Sequence, residues 1–227
     1  MRFNQRLAVR LKTAQHSEEQ PLRVRKKIQM HQSIADAAAE LFAAKGYDAV
    51  TIAEIADLAD VSEQTVYNFF PSKVMLVLDE DAAFEARVVG MIRARPPRTT
   101  IAEAVRTGAH AFLQELEARP KGRKTRGGLP YLINASPSLR RAWLAALERY
   151  AGAIAGVLVE ESAGGVSPLA SKLLGFSVVA IFSFVIDEIG RARRQDASMG
   201  ALFKRLHVQV DDAVDRIAPA LNSVRSR

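Results

Sequence analysis

Five side chains that can read the edges of DNA bases lie within one short segment of the sequence. They share an outward-facing surface if the segment is helical, and they are Glu63, Gln64, Thr65, Tyr67 and Asn68. The amides of Gln64 and Asn68 can form bidentate hydrogen bonds with adenine, and the methyl group of Thr65 can contact that of thymine. Tyr67 can reach a phosphate or a base edge. The segment therefore predicts a helix that reads base pairs in the major groove.

Two short helices joined by a tight turn are predicted to hold this segment. Thr51 and Glu54 form a T-x-x-E capping box, which starts the first helix. Asp60 tolerates a left-handed turn, and Ser62 is placed to cap the second helix, which extends to about Phe69. This helix-turn-helix over residues 51–70 is a scaffold that presents its second helix to DNA. Taken one at a time, the same residues also fit a plain three-helix packing unit with capped ends.

Flanking helices are expected on both sides of this unit. Apolar residues recur at helical spacing over residues 28–45, and Gly46 supplies a left-handed C-terminal cap. Beyond the pair, Pro71 keeps Phe70 extended. Ser72 is then predicted to cap a longer helix that starts at Lys73 and stops before residues 96–97, which are both proline.

Contacts with the phosphate backbone are expected where helix N-termini and basic side chains lie near the reading helix. Thr51 and Lys73 begin flanking helices, whose free N–H groups favour an anion. The net charge is +7, yet residues 32–92 carry three Lys or Arg against eleven Asp or Glu, and residues 1–31 carry eight against two. We therefore expect a flexible basic arm, residues 1–26, to reach the backbone or an adjacent minor groove. A solvated tail is the alternative.

The composition and the sequence motifs exclude several other classes of protein. The chain has no cysteine, so a disulfide, a thiolate metal site or a cysteine nucleophile is impossible. No G-x-S-x-G, H-E-x-x-H, G-x-G-x-x-G or P-loop pattern occurs, which predicts no enzyme, no metal site and no cofactor. The most apolar stretch, residues 173–186, is short of the roughly 18–20 residues that cross a bilayer. With no secretory signal, these features predict a cytoplasmic protein without membrane contact.

Helical periodicity continues through the rest of the chain and predicts an all-α fold of about nine helices. Thr100 and Glu103 form a second capping box, and further helices are expected over residues 139–158, 168–189 and 199–217. The helix over 168–189 is apolar on nearly every face, so it needs partners on every face. Residues 168–217 are therefore predicted to form a homodimer interface.

A ligand pocket between these helices would be lined mainly by aromatic and apolar side chains. The candidates are Phe112, Trp143, Tyr150 and Phe176. Plain core packing is the alternative for each of them. The connector over residues 119–128 carries four basic residues, Lys121, Arg123, Lys124 and Arg126. Either this connector attracts an anionic effector, or it is a solvated loop.

Residues 34–75 closely resemble the DNA-binding region of the TetR family of bacterial transcriptional regulators. The resemblance rests on three consecutive motifs, AAAELFAAKGY at 37–47, TIAEIA at 51–56 and VSEQTVYNFFPSK at 61–73. It implies a homodimer with an N-terminal three-helix DNA-binding domain, here residues 27–87, and a C-terminal bundle for effector binding and dimerisation, here residues 88–227. Most members of that family are repressors that a small molecule releases from DNA.

Residue by residue, the resemblance assigns Thr51, Thr65, Tyr67 and Lys73 to positions that commonly touch DNA in the family. Gln64 and Asn68 match more variable positions. Asp60 departs from the glycine usual in that turn. The C-terminal half is similar only in its helix pattern and in the motif SPSLR at residues 136–140. The complete set of predicted DNA contacts is Arg25, Lys26, Lys27, Thr51, Ser62, Glu63, Gln64, Thr65, Tyr67, Asn68 and Lys73.

These features together predict a sequence-specific DNA-binding regulator. The expected partners are a palindromic double-stranded operator, a second copy of the chain and a small-molecule effector, and the expected action is repression. The alternative is a helical module that binds a ligand or a protein without specific DNA recognition, which the acidic charge of residues 32–92 favours.

Overall fold

The structure is a computed structural model that describes residues 22–79, 81–118, 128–162, 165–195 and 197–224. The described ranges contain nine α-helices and no strand, which confirms the all-α prediction. In chain order the helices are α1 (Leu22–Lys45), α2 (Ile52–Leu58), α3 (Glu63–Phe69), α4 (Asp81–Arg93), α5 (Ile101–Ala118), α6 (Leu129–Leu132), α7 (Pro137–Glu161), α8 (Pro168–Arg194) and α9 (Met199–Asn222).

Helices α1 to α3 form an N-terminal unit, the reading domain, around a small apolar core. Ile34 and Phe42 of α1 meet Ile55 of α2 and Val66 of α3 in this core, where all four are almost fully buried. The local signals predicted from residue types are present. Thr51 and Glu54 complete the capping box of α2, and the Ser62 side chain accepts a hydrogen bond from the backbone N–H of Thr65. Asp60 has a φ of 55° and Gly46 a φ of 83°, as their left-handed positions require.

Helix α1 begins at Leu22, so the predicted start near residue 28 was wrong. The extra turns are exposed throughout residues 22–30, which explains why the pattern of buried apolar residues gave no sign of them. Arg, Lys, Gln and Met are good helix formers and sustain the helix without packing. Arg25, Lys26 and Lys27 therefore lie on a helix and not in a flexible arm. Residues 1–21 of the predicted arm lie outside the described residues.

The long helix predicted from Lys73 was also wrong. Lys73–Leu76 is a 3-10 turn, Ser72 makes no side-chain cap, and the helix resumes as α4 at Asp81. The five apolar residues at 74–78 are all buried or packed against the core. A regular helix turns 100° per residue and cannot bury five consecutive side chains against one surface. Residues 73–79, the joint segment, thus connect the reading domain to the remaining helices.

Helices α5 to α9 form the larger body, in which α7 and α8 make the most extensive contact. Helix α9 packs on α5 and α8, while α4 packs on α5 and α7. Two glycines of α8 allow the backbone of neighbouring helices to approach it closely. A Cβ atom at Gly175 would collide with the carbonyl oxygen of Ala151 in α7, and one at Gly190 would collide with that of Pro130 in α6. The short helix α6 was not predicted.

Helices α7 and α8 are long and apolar enough to cross a bilayer by length and composition alone. Helix α8 has 27 residues and is therefore longer than the apolar stretch over residues 173–186 from which the sequence predicted no membrane span. In each helix, 44% of the most apolar window is buried inside the protein. Such burial is typical of the core helices of soluble proteins, and the two helices pack against each other here.

Candidate functional site

Helix α3 presents a polar outer face above its buried anchor. Val66 is fully buried and Phe69 is partly buried, which fixes the orientation of the helix on α2. Glu63, Gln64, Tyr67 and Asn68 are exposed, and Tyr67 retains 46% of its accessible surface. An exposed aromatic ring between amide side chains is suited to contact with a polar partner. The structure thus brings the predicted base-reading side chains onto one surface.

The outer side chains of α3 are held by hydrogen bonds between them. The Gln64 amide Nε2 donates to Oδ1 of Asn68 at 3.2 Å. Thr65 is only half-buried, but its hydroxyl lies 2.9 Å from that of Ser62, and its backbone N–H donates to the same Ser62 oxygen at 3.1 Å. Ser62 and Thr65 therefore stabilise the start of α3, which leaves the threonine methyl group as the part available to a base.

Thr51 uses its polar groups within the capping box of α2. Its hydroxyl accepts from the N–H of Glu54 at 3.2 Å and donates to Glu54 Oε2 at 3.0 Å, and its own N–H donates to that oxygen at 2.8 Å. Lys45 Nζ donates to Glu54 Oε1 at 2.6 Å. The hydrogen bonds from Lys45 and Thr51 lower the pKa of the Glu54 carboxyl to about 2. A phosphate at this helix end would meet a carboxylate that Lys45 has already neutralised.

Lys73 packs against the loop that follows α1. Its ammonium lies 4.4 Å from the centre of the Tyr47 ring and 3.5 Å from the carbonyl oxygen of Asp48. Partial burial keeps the pKa of this ammonium below its usual value, although the carboxylates of Asp48 and Glu54 oppose the shift. Contact between a cation and an aromatic face is worth about 0.5–1 kcal/mol at an exposed site. Lys73 is therefore an ordered positive charge.

Three further predicted contacts, Arg25, Lys26 and Lys27, are exposed on the first turns of α1. Their side chains form no ion pair or hydrogen bond with other described residues. Their charges are consequently open to solvent or to an anionic partner.

A cavity of about 290 Å³ lies where the reading domain meets the larger body. His31 and Gln32 of α1 and residues 76–79 of the joint segment line one side, and residues of α4 to α8 line the other. Phe112, Trp143 and Tyr150 are among the lining residues, as the sequence suggested. Phe176 does not line this cavity and lies on the outer surface of α8, 40% exposed. The basic connector with Lys121, Arg123, Lys124 and Arg126 lies outside the described residues.

An apolar stripe runs along the outer face of α8. Leu169, Leu173, Phe176, Ala180 and Phe184 recur every three or four residues, and all are exposed. Leu169 keeps 70% and Leu173 keeps 60% of its accessible surface. We call these five residues the α8 stripe. It falls within residues 168–217, the predicted dimer interface.

The motif at residues 136–140 connects the reading domain to α8. Ser136 caps α7 by accepting a hydrogen bond from the N–H of Leu139. Ser138 donates to Asp48 in the loop after α1, and Arg140 donates twice to Asp187 of α8. Hydrogen bonds from Ser138 and Ser136 lower the pKa of the Asp48 carboxyl. Sequence reasoning singled out the motif but missed Asp48, because a contact across 90 residues leaves no local signal.

Among the described residues, no group of three or more His, Cys, Asp or Glu side chains is placed to hold a metal ion. His110 and His207 do lie together, with their Nδ1 atoms 2.6 Å apart, and Asp211 accepts from His110. This cluster joins α5 to α9.

Residues 34–79 match the model of a family described as bacterial regulatory proteins, tetR family. The uncharacterized HTH-type transcriptional regulator YdeS of Bacillus subtilis is 41% identical over 49 residues, which cover 22% of this chain and 25% of that protein. The aligned part thus spans about a quarter of the curated relative.

Two solved structures are similar over most of the chain. One is a TetR-family transcriptional regulator from Mesorhizobium loti, with a TM-score of 0.53 and 22% identity over 84% of this chain and 96% of that one. The other is the transcriptional regulator FadR from Bacillus subtilis in complex with stearoyl-CoA, with a TM-score of 0.53 and 18% identity over 81% of this chain and 95% of that one. At these identities the likeness establishes the shared fold.

Proposed function

We propose that this chain, whose residues 34–79 match the model of the tetR family of bacterial regulatory proteins, is a sequence-specific DNA-binding transcriptional regulator. One observation carries the proposal: α3, the second helix of a helix-turn-helix, exposes Gln64, Tyr67 and Asn68 on one face while Val66 anchors it. Amide side chains on such a helix are suited to hydrogen bonds with base edges in the major groove.

The proposed DNA contacts fall into two groups, those that read bases and those that position the protein on the phosphate backbone. Gln64 and Asn68 specify bases, with Glu63, Thr65 and Tyr67 beside them. Positioning falls to groups that interact with phosphates regardless of sequence. These are Thr51, Ser62, Lys73, Arg25, Lys26 and Lys27. The ordered charge of Lys73 and the open charges on α1 supply attraction that the acidic reading domain otherwise lacks.

The active form is a homodimer through residues 168–217. The α8 stripe supports this assignment, because a contiguous exposed apolar surface marks a site of association. A two-fold symmetric dimer presents two copies of α3 to half-sites separated by about one helical turn of DNA or a multiple of it. The operator is therefore palindromic.

The regulator acts in the cytoplasm as a repressor that a small molecule releases from DNA, without enzymatic activity or a cofactor. The cavity supports this assignment, because α1 and the joint segment line it together with α5 and α7. A ligand in such a cavity touches both the reading domain and the body, and it favours whichever relative arrangement fits it better. FadR, a structural relative, carries stearoyl-CoA, so the fold accommodates a ligand.

Fluorescence anisotropy with a labelled duplex from upstream of the chain's own gene tests the proposal. We expect salt-sensitive binding that a scrambled duplex of the same composition does not match. Equal binding to both duplexes would favour the alternative, a helical module without specific DNA recognition.

A further inference from the structure

We infer that the effector is a small, uncharged, largely apolar molecule with one oxygen acceptor, and that the indole N–H of Trp143 binds this oxygen. The inference rests on the proposed function, in which the cavity between the reading domain and the body is the effector site. It adds the chemical class of the ligand and the residue that selects it.

Four aromatic side chains, Phe84, Phe112, Trp143 and Tyr150, line the cavity together with aliphatic residues. The ring of Phe84 on α4 lies edge-on to Phe112 of α5, with centroids 5.4 Å apart, and 5.2 Å from Tyr150 of α7. Trp143 meets Tyr150 edge-on at 6.3 Å. A volume of about 290 Å³ is at the small end of ligand sites, which are typically about 300–1,000 Å³. The space therefore suits a compact apolar molecule.

The ionisable side chains His31, Asp79 and Arg87 that line the cavity already have polar partners. Arg87 Nη1 lies 2.6 Å from Glu115 Oε2, and the Arg87 guanidinium also covers the Phe84 ring at 5.2 Å. His31 Nε2 lies 3.2 Å from Asp79 Oδ1. Arg87 is the one Lys or Arg among the described lining residues, and its pairing with Glu115 leaves no cationic side chain free for an anionic ligand. Because burial of an unpaired charge is costly, the pairing favours an uncharged ligand.

Trp143 supplies the polar group that lacks a partner. Its side chain lines the cavity and is 3% exposed, and its Nε1 atom is buried with no hydrogen-bond acceptor among the described residues. A buried indole N–H is usually paired, and leaving it unpaired is unfavourable. A ligand oxygen provides the missing acceptor. A hydrocarbon of the same shape cannot.

Isothermal titration calorimetry with three matched probes tests this selection on the full chain. The probes are valerophenone, which carries a ketone oxygen, pentylbenzene, which has nearly the same shape without it, and 5-phenylpentanoate, which carries a charge. We expect valerophenone to bind about fivefold more tightly than pentylbenzene, as one net hydrogen bond allows. We expect the carboxylate to bind more weakly than the ketone.

Two variants test whether Trp143 causes the preference for the ketone. Trp143→Phe keeps an aromatic ring and removes the N–H, so the preference for the ketone should fall to within about twofold while pentylbenzene still binds. Leu144→Ala alters the next residue, which is exposed and outside the cavity, and should keep the wild-type preference. Equal binding of ketone and hydrocarbon, tighter binding of the carboxylate, a preference that survives in Trp143→Phe, or no binding of any probe would overturn the inference.

Fluorescence anisotropy with the same protein preparation distinguishes failure of this inference from failure of the proposed function. Specific binding to the upstream duplex without the ketone preference would refute the inference alone. Ketone selection without specific DNA binding would refute the regulator instead.

Discussion

The side-chain amide of Gln64 donates a hydrogen bond to Oδ1 of Asn68, 3.2 Å away and one turn further along α3. Each amide thereby limits the rotation of the other before any DNA is present. Pre-ordering of this kind reduces the entropy lost when a side chain binds a base. The pair is the part of the exposed surface best suited to set sequence preference.

Replacement of Gln64 by Ala should change which base is preferred at one position of each half-site. Loss of a bidentate contact costs about 1–3 kcal/mol of discrimination, whereas affinity for non-specific DNA should stay nearly the same. Anisotropy titrations against a set of single-base operator variants measure this. An equal loss on every duplex would show that Gln64 does not read a base.

Removal of the Ser138 hydroxyl should weaken the link between the reading domain and α7. Ser138 donates to Asp48 at 2.5 Å, so Ser138→Ala should cost about 0.5–1.5 kcal/mol of stability, as for an ordinary hydrogen bond. The pKa of the Asp48 carboxyl should rise towards its usual value, since the bond from Ser138 is the main cause of its lowering. Denaturant unfolding and NMR titration of the carboxyl carbon report the two effects.

Ser177→Ala is the matched control, because the Ser177 hydroxyl bonds only the carbonyl oxygen of Leu173 in its own helix. It should leave the Asp48 titration unchanged. An unshifted Asp48 pKa in Ser138→Ala would mean that the link does not persist in solution.

A charge within the α8 stripe should prevent dimerisation. Leu173→Glu places a carboxylate where the proposed interface excludes water, and the dimer dissociation constant should rise by about a hundredfold or more. Leu144→Glu adds the same charge at an exposed leucine of α7 and serves as the control. Sedimentation equilibrium distinguishes them. Monomers in the control, or an intact dimer in Leu173→Glu, would place the interface elsewhere.

The capping box at the start of α2 should contribute stability that depends on pH. The pKa of Glu54 is lowered from 4.5 to about 2 in the folded protein, so its carboxylate stabilises the fold above pH 4.5. This contribution is lost as the pH falls from 4.5 through about 2. The free energy of unfolding of wild type minus that of Glu54→Gln should therefore shrink across this window. A difference that stays constant from pH 6 to pH 2 would contradict the assignment.

Local chemistry explains which features the sequence revealed. The caps at Thr51 and Ser62 follow from residues three positions apart, so residue types alone predict them. The 3-10 turn at Lys73–Leu76 depends instead on burial of the apolar run from several directions, which only the assembled fold imposes. Periodicity likewise placed Phe176 on an apolar face of α8 but did not show that this face points outward. The hydrogen bond between Ser138 and Asp48 joins distant parts of the chain, so no local sequence pattern predicts it.

A DNase I footprint on the region upstream of the chain's own gene tests the central claim most directly. We predict protection of a palindrome whose two half-sites are separated by about one helical turn or a multiple of it, with protection lost in Leu173→Glu. Absence of any protected sequence, or protection of a single site without two-fold symmetry, would contradict the account of this chain as a dimeric DNA-binding regulator.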